Sequence, residues 1–162
     1  MIPAVAATEL SDDDLLALLG RYLEILQGHP EPEAMMEEIL TSDFATGFVG
    51  GHLWTGIEGL RDFLSQRRPF FDERHEIQEL LGRSGGGPGE EVEARTRLHF
   101  FLRSWEPPSP VSEEYTGDCF HTWRVRREGG RWRVAAQLVE RFADLNDNAE
   151  RLFATPQEGL NT

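Results

Sequence analysis

The sequence predicts an α+β domain, with helices gathered ahead of an antiparallel sheet and packed on one of its faces. Three observations carry that reading. Apolar residues in the first 64 positions recur at helical spacing. After Pro69 the period changes to two. The order is three helices, four strands and a closing helix, with no βαβ alternation.

Ser11 followed by Asp12, Asp13 and Asp14 marks a helix start: a hydroxyl cap, then acids at the positive end of the dipole. Leu15, Leu18, Leu19, Tyr22, Leu23 and Leu26 line its apolar face, and Gly28 and Pro30 stop it. Residues 32–41 form a second, short helix. Phe44 to Trp54 is a β-like stretch broken by Gly47, Gly50 and Gly51. Thr55 opens a third helix with Ile57, Leu60, Phe63 and Leu64 on one face. Residues 74–81 form a strand that turns His75, Ile77 and Leu81 to one side. SGGGPGEE, 84–91, is a loop. Residues 92–103 alternate, with Phe100 on the apolar side and His99 and Phe101 on the other. Strands 114–127 and 131–142 meet at Gly129-Gly130, and 144–153 form the closing helix. The domain is expected over 10–153, between flexible tails at 1–9 and 154–162.

A two-residue glycine turn pairs residues whose numbers sum to 259. It sets Val125 opposite Val134, Trp123 opposite Ala136, His121 opposite Leu138 and Cys119 opposite Glu140. One face then carries Cys119, His121, Trp123, Val125, Trp132, Val134, Ala136, Leu138 and Glu140 toward the core. Asp118, Phe120, Arg124, Arg126, Arg133 and Arg141 point outward.

Composition narrows the chemistry. The chain of 162 residues carries a formal charge of −13, which argues against nucleic acid or anionic membrane as partner. All sixteen basic residues are arginine, so no lysine can form a Schiff base or serve a P-loop. The single cysteine, Cys119, excludes an internal disulfide and a CxxC site. No apolar run reaches membrane-spanning length, and the N-terminus lacks the basic segment of a signal peptide. A cytoplasmic protein is the expectation.

The order of elements, with WTGIEGLRDFL (54–64), RHEIQELL (74–81) and GDCFHTWRVRREGGRWRVA (117–135), resembles the SnoaL-like branch of the NTF2-like superfamily. It is most similar to the scytalone dehydratase and bile-acid dehydratase group, and similar also to the small β-subunits of ring-hydroxylating dioxygenases. The resemblance implies a cone-shaped, cystatin-like barrel in which a curved antiparallel sheet wraps the N-terminal helices around a pocket. It implies an acid–base histidine on the first long strand, matched by His75. It sets an inward polar residue at the position of His121, and a helix-borne tyrosine and acid for which Tyr22 and Glu24 are on offer. Arginine in place of lysine, with abundant glycine and alanine, suggests a GC-rich bacterial genome, where such proteins often serve secondary metabolism.

The catalytic candidates are therefore His75, His121, Glu140 and Asp43. Histidine titrates near neutrality, and a carboxylate bonded to its ring would raise its basicity. Glu140, Asp43 and Glu24 are the carboxylates in view; Glu140 could instead pair with Arg141 or Arg127, and Asp43 could close the loop after the second helix. Tyr22, Trp54, Phe100, Trp123 and Phe153 are expected to line an apolar site for a small, ring-containing carbonyl compound. No cofactor is called for, and no H-x-H or HExxH spacing suggests a metal. Cys119 is expected to be a plain buried thiol, about 7 Å along the strand from His121. A non-catalytic ligand-binding or scaffold subunit is the alternative. Arginines mixed with Phe101 and Phe120 on the outer sheet face suggest a homodimer or homotrimer joined through it.

Overall fold

A computed structural model of the chain describes residues 10–85 and 91–153. The expected tails and residues 86–90 of the glycine loop lie outside them. The elements run α1 (Asp12–Gln27), α2 (Pro32–Ile39), β1 (Leu40–Phe48), β2 (Leu53–Thr55), α3 (Gly56–Gln66), β3 (Phe70–Gly85), β4 (Val92–Ser104), β5 (Glu113–Glu128) and β6 (Arg131–Ala143). A last helix, α4, covers 147–153.

Local chemistry accounts for the helix ends. The Ser11 hydroxyl accepts the Asp14 N–H at 3.1 Å, and the N–H groups of Gly28 and His29 close α1 on the carbonyls of Ile25 and Leu26 respectively. Leu15, Leu19, Tyr22, Leu23 and Leu26 bury the inner face of α1 against β3 and β6. Pro32 starts α2, which ends at Ile39 rather than at residue 41. Leu40 is already extended, because it pairs with Val134 of β6. The β-like stretch is thus a full strand, β1, that folds back on the three-residue β2.

Strand order is β2-β1-β6-β5-β4-β3. Neighbours are antiparallel except β1 and β6, which run parallel. The sheet is mixed, curved and open, with β2 and β3 at its edges; the cone-shaped α+β architecture is as expected, and the parallel β1–β6 pair corrects the expectation of a wholly antiparallel sheet. The parallel pair joins segments more than ninety positions apart, and no local pattern announces it.

Two register shifts in the last hairpin matter most. The sum of 259 holds from the turn to Val125↔Val134 and then breaks. An extra residue at Ala135 moves the pairing to Trp123↔Gln137 and His121↔Val139, and a second shift gives Cys119↔Phe142. Inward and outward positions of β6 are exchanged from Ala135 to the second shift at Glu140, beyond which Phe142 again faces inward. Gln137 and Val139 face the core, while Leu138 and Glu140 share the outer face with Thr122. In β3, shifts after Ile77 and Leu80 likewise turn Leu80 toward the core and leave Leu81 exposed, against expectation.

Gly47, in β1, has φ +144°, and a Cβ there would stand 2.1 Å from the His52 carbonyl oxygen. Gly47→Ala is therefore expected to destabilise the domain by about 2 kcal/mol or more, read from urea unfolding.

Candidate functional site

Between the helices and the inner sheet face lies a cavity of about 320 Å³, at the lower end of the range for small-molecule sites. Its apolar wall is largely aromatic: Trp54, Phe63, Phe70, Phe100, Phe142 and Phe153. Its polar wall comes from alternate strand positions, which give His75 on β3, Cys119 and His121 on β5 and Gln137 on β6, and from Gln66 and Arg67 at the end of α3. Of the expected ring-binding residues, Trp54, Phe100 and Phe153 line this cavity. Tyr22 and Trp123 do not; they pack edge-on at 5.3 Å in the core behind it.

His121 is held by an amide. The Tyr22 hydroxyl donates to Gln137 Oε1 at 2.8 Å, and Thr46 Oγ1 donates to the same oxygen at 3.4 Å. That orients Gln137, whose Nε2 must then donate to His121 Nε2 at 3.0 Å. Nε2 is therefore the unprotonated nitrogen, and the proton of neutral His121 sits on Nδ1. Nδ1 is buried without a hydrogen-bond partner among the described residues. Cys119 Sγ lies 3.4 Å from His121 Nε2, within hydrogen-bonding reach, which corrects the strand-rise separation. Side chains two apart on a curved strand lean together. Burial pushes the Cys119 thiol well up, so it is no thiolate nucleophile.

His75 is pinned the same way. Gln27 Oε1 accepts the His75 backbone N–H at 2.6 Å and lies 3.2 Å from Nδ1. An oxygen that already accepts can only be matched by a protonated Nδ1, which leaves Nε2 as the lone pair. The two rings thus differ in polarity beside one cavity, His75 keeping its lone pair on Nε2 and His121 its proton on the buried Nδ1. Burial, helped by the Arg67 charge and by His121, lowers His75 to about 3. Burial lowers His121 to about 4, against a weak opposing pull from Glu140. Both are neutral at pH 7, which corrects the expectation of titration near neutrality.

None of the three carboxylates assists them. Glu140, turned out at the second register shift, accepts from Thr122 Oγ1 and from Arg95 Nε at 3.1 Å. Asp43 accepts from Arg126 Nη2 at 2.6 Å and Thr41 Oγ1 at 2.8 Å, on the outer side of β1. Glu24 is exposed and lies 3.4 Å from Arg21. Asp118 does face outward, accepting from Arg97 Nε at 2.7 Å and lying 2.8 Å from His99 Nδ1.

The sequence reading missed a buried ion pair beside the cavity. Arg67 Nη2 donates to Glu73 Oε1, and His29 Nε2 lies 2.8 Å from Glu73 Oε2. The Glu73 side chain is wholly buried and that of Arg67 only 14% exposed. Desolvation lowers Arg67 and raises Glu73. Glu73 shares the strand parity of His75, a signal that could have placed it inside. No group of three metal-ligating side chains occurs among the described residues, and no helix there is long and apolar enough to cross a membrane.

The depressed histidines set a pH dependence. An unfolded histidine binds its proton near pH 6.5, and these folded ones only near 3 and 4. Their contribution is fully present above 6.5 and is lost as pH falls through that value toward the folded pKa. Acidification from pH 7 to 5 should cost about 2–4 kcal/mol of stability, and His75→Gln and His121→Gln should each flatten that slope in urea unfolding. Nitrogen-15 spectra of the imidazoles should show Nδ1–H in both rings.

No family model and no curated protein matches the chain. Solved structures do. A candidate scytalone dehydratase from Novosphingobium aromaticivorans superposes with TM-score 0.66 at 14% identity, over 82% of this chain and 84% of that one. A protein with a cystatin-like fold from Caulobacter vibrioides gives 0.59 at 18% identity, over 89% and 96%. A candidate aromatic ring hydroxylase from Novosphingobium aromaticivorans gives 0.60 at 17% identity, over 83% and 93%. The chain shares with them the cone-shaped, cystatin-like α+β fold, as the NTF2-like resemblance implied.

Proposed function

We propose that the chain is a cofactor-independent acid–base enzyme, a dehydratase, cyclase or isomerase, for a small ring-containing carbonyl compound. The observation that carries this is the pair of neutral imidazoles in the wall of one aromatic cavity, with opposite hydrogen-bonding polarity. His75 Nε2 takes a proton from carbon beside the carbonyl. The C–H electron pair moves into the carbon framework, and negative charge collects on the carbonyl oxygen. The buried Nδ1–H of His121 stabilises that charge without giving its proton up, because the amide N–H of Gln137 is too weak an acid to protonate Nε2. The imidazolium formed at His75 returns its proton at a second atom. Names of solved structures with this fold include a candidate dehydratase and a candidate ring hydroxylase, which agrees with a ring-sized ligand.

A specific observation favours the second reading, a binding module without chemistry. No carboxylate contacts either imidazole among the described residues, so His75 is a weak base until an enolate forms beside it. 2-Tetralone, a neutral ring ketone with acidic α-protons, separates the two. The protein should accelerate α-hydrogen exchange into deuterium oxide, followed by proton NMR, and His75→Gln should cost about 10²–10⁴-fold. Binding without acceleration would leave only the module.

We extend the proposal to self-association through the outer sheet face. Guanidiniums already lie over its rings, Arg141 at 3.7 Å from the Phe120 centroid and Arg74 at 4.5 Å from that of Phe101. Light scattering should give a multiple of 18.4 kDa, and a monomer mass would refute this part.

A further inference from the structure

Among the described residues, Arg67 is the one formally charged residue in the cavity wall. Its guanidinium is fixed. It ends α3, where the negative end of the helix dipole favours a cation. It lies 5.6 Å from the centroid of Phe63, which lines the same cavity. Only Nη2 is engaged, by Glu73, and Nε–H is buried without a partner. Glu73 also rests against His29, outside the cavity wall, so it is held from the far side and is not a lining residue.

The consequence for a ligand is electrostatic. Among the described residues the cavity wall holds no carboxylate, two neutral imidazoles and one guanidinium with donors to spare. An acidic group entering it meets no like charge in the wall and gains charge-assisted hydrogen bonds in a low-dielectric setting. From this juxtaposition we infer that the cavity takes an anionic ligand: a ring compound bearing a carboxylate, which Arg67 binds while the ring fills the aromatic wall. This rests on the reading of the cavity as a small-molecule site and adds the charge of the molecule and the residue that reads it.

Two probes of matched ring and different charge test it, 2-naphthoate and the neutral 2-acetonaphthone, titrated calorimetrically into the full chain. Hydrogen bonds to a charged group are worth about 1.5–3 kcal/mol, so 2-naphthoate should bind at least about tenfold more tightly. Arg67→Met alone leaves Glu73 buried and uncompensated and can fail to fold. The double variant Arg67→Met/Glu73→Gln removes both charges together. In it the preference should vanish, with 2-acetonaphthone affinity kept within about threefold of the parent. A neutral probe that binds as well as the anion to the parent chain, or a preference that survives in the double variant, overturns the inference and leaves the ketone-binding reading standing. Binding of neither probe overturns both.

Discussion

One extra residue in the last strand decides what faces the cavity. The hairpin leaves its glycine turn in the expected register and loses it at Ala135. Side chains on a strand alternate, so a single insertion exchanges the two faces up to the next shift. Without it, Ala136, Leu138 and Glu140 would look inward, and His121 would have a carboxylate diagonal to it on the neighbouring strand. With it, Gln137 looks inward instead and ties Tyr22 of α1 to His121 of β5. The proton position on His121 depends on that amide.

The exchange also settles a problem of burial. A carboxylate taken out of water beside an imidazole must be paid for by further hydrogen bonds. Outside, Glu140 finds Thr122 and Arg95 at the surface. Inside, a neutral amide satisfies the Tyr22 hydroxyl and His121 Nε2 with no charge to desolvate. The same solution recurs at His75, where Gln27 at the end of α1 takes the place a carboxylate might have filled. Helix and sheet are thereby locked at two points by neutral hydrogen bonds across the cavity.

Much of this was legible in the chain. Ser11 with its aspartates, the Leu15–Leu26 stripe, the Gly129-Gly130 turn and the alternation of residues 92–103 each reflect interactions between near neighbours, and each is found where the pattern placed it. His75 and His121 on a common inner face followed from strand parity alone. The features that escaped are non-local. Neither register shift carries a glycine or proline to mark it, and Leu81 was misplaced in β3 for the reason that misplaced Glu140 in β6. The β1–β6 pairing, the closeness of Cys119 to His121 and the burial of Arg67 with Glu73 all depend on how distant segments curve around one space. Tyr22 and Trp123 were rightly read as inward, yet inward is not the same as exposed to a cavity. Trp123 spends its N–H on Thr96 and Tyr22 its hydroxyl on Gln137.

The charges left in the wall bias the kind of chemistry the space can hold. Forming an imidazolium at either histidine means charging a desolvated ring, and at His75 the Arg67 guanidinium adds repulsion. A step that built positive charge on the protein without a counter-charge would therefore be opposed at every point of the wall. A step in which negative charge develops on the bound molecule is favoured by the same groups, since Arg67 and the free Nδ1–H of His121 both stabilise it. The low basicity of His75 in the empty cavity is then a property of the empty cavity alone. An oxyanion beside the ring supplies the counter-charge that no carboxylate of the protein provides, and raises the basicity of His75 only once that charge has formed.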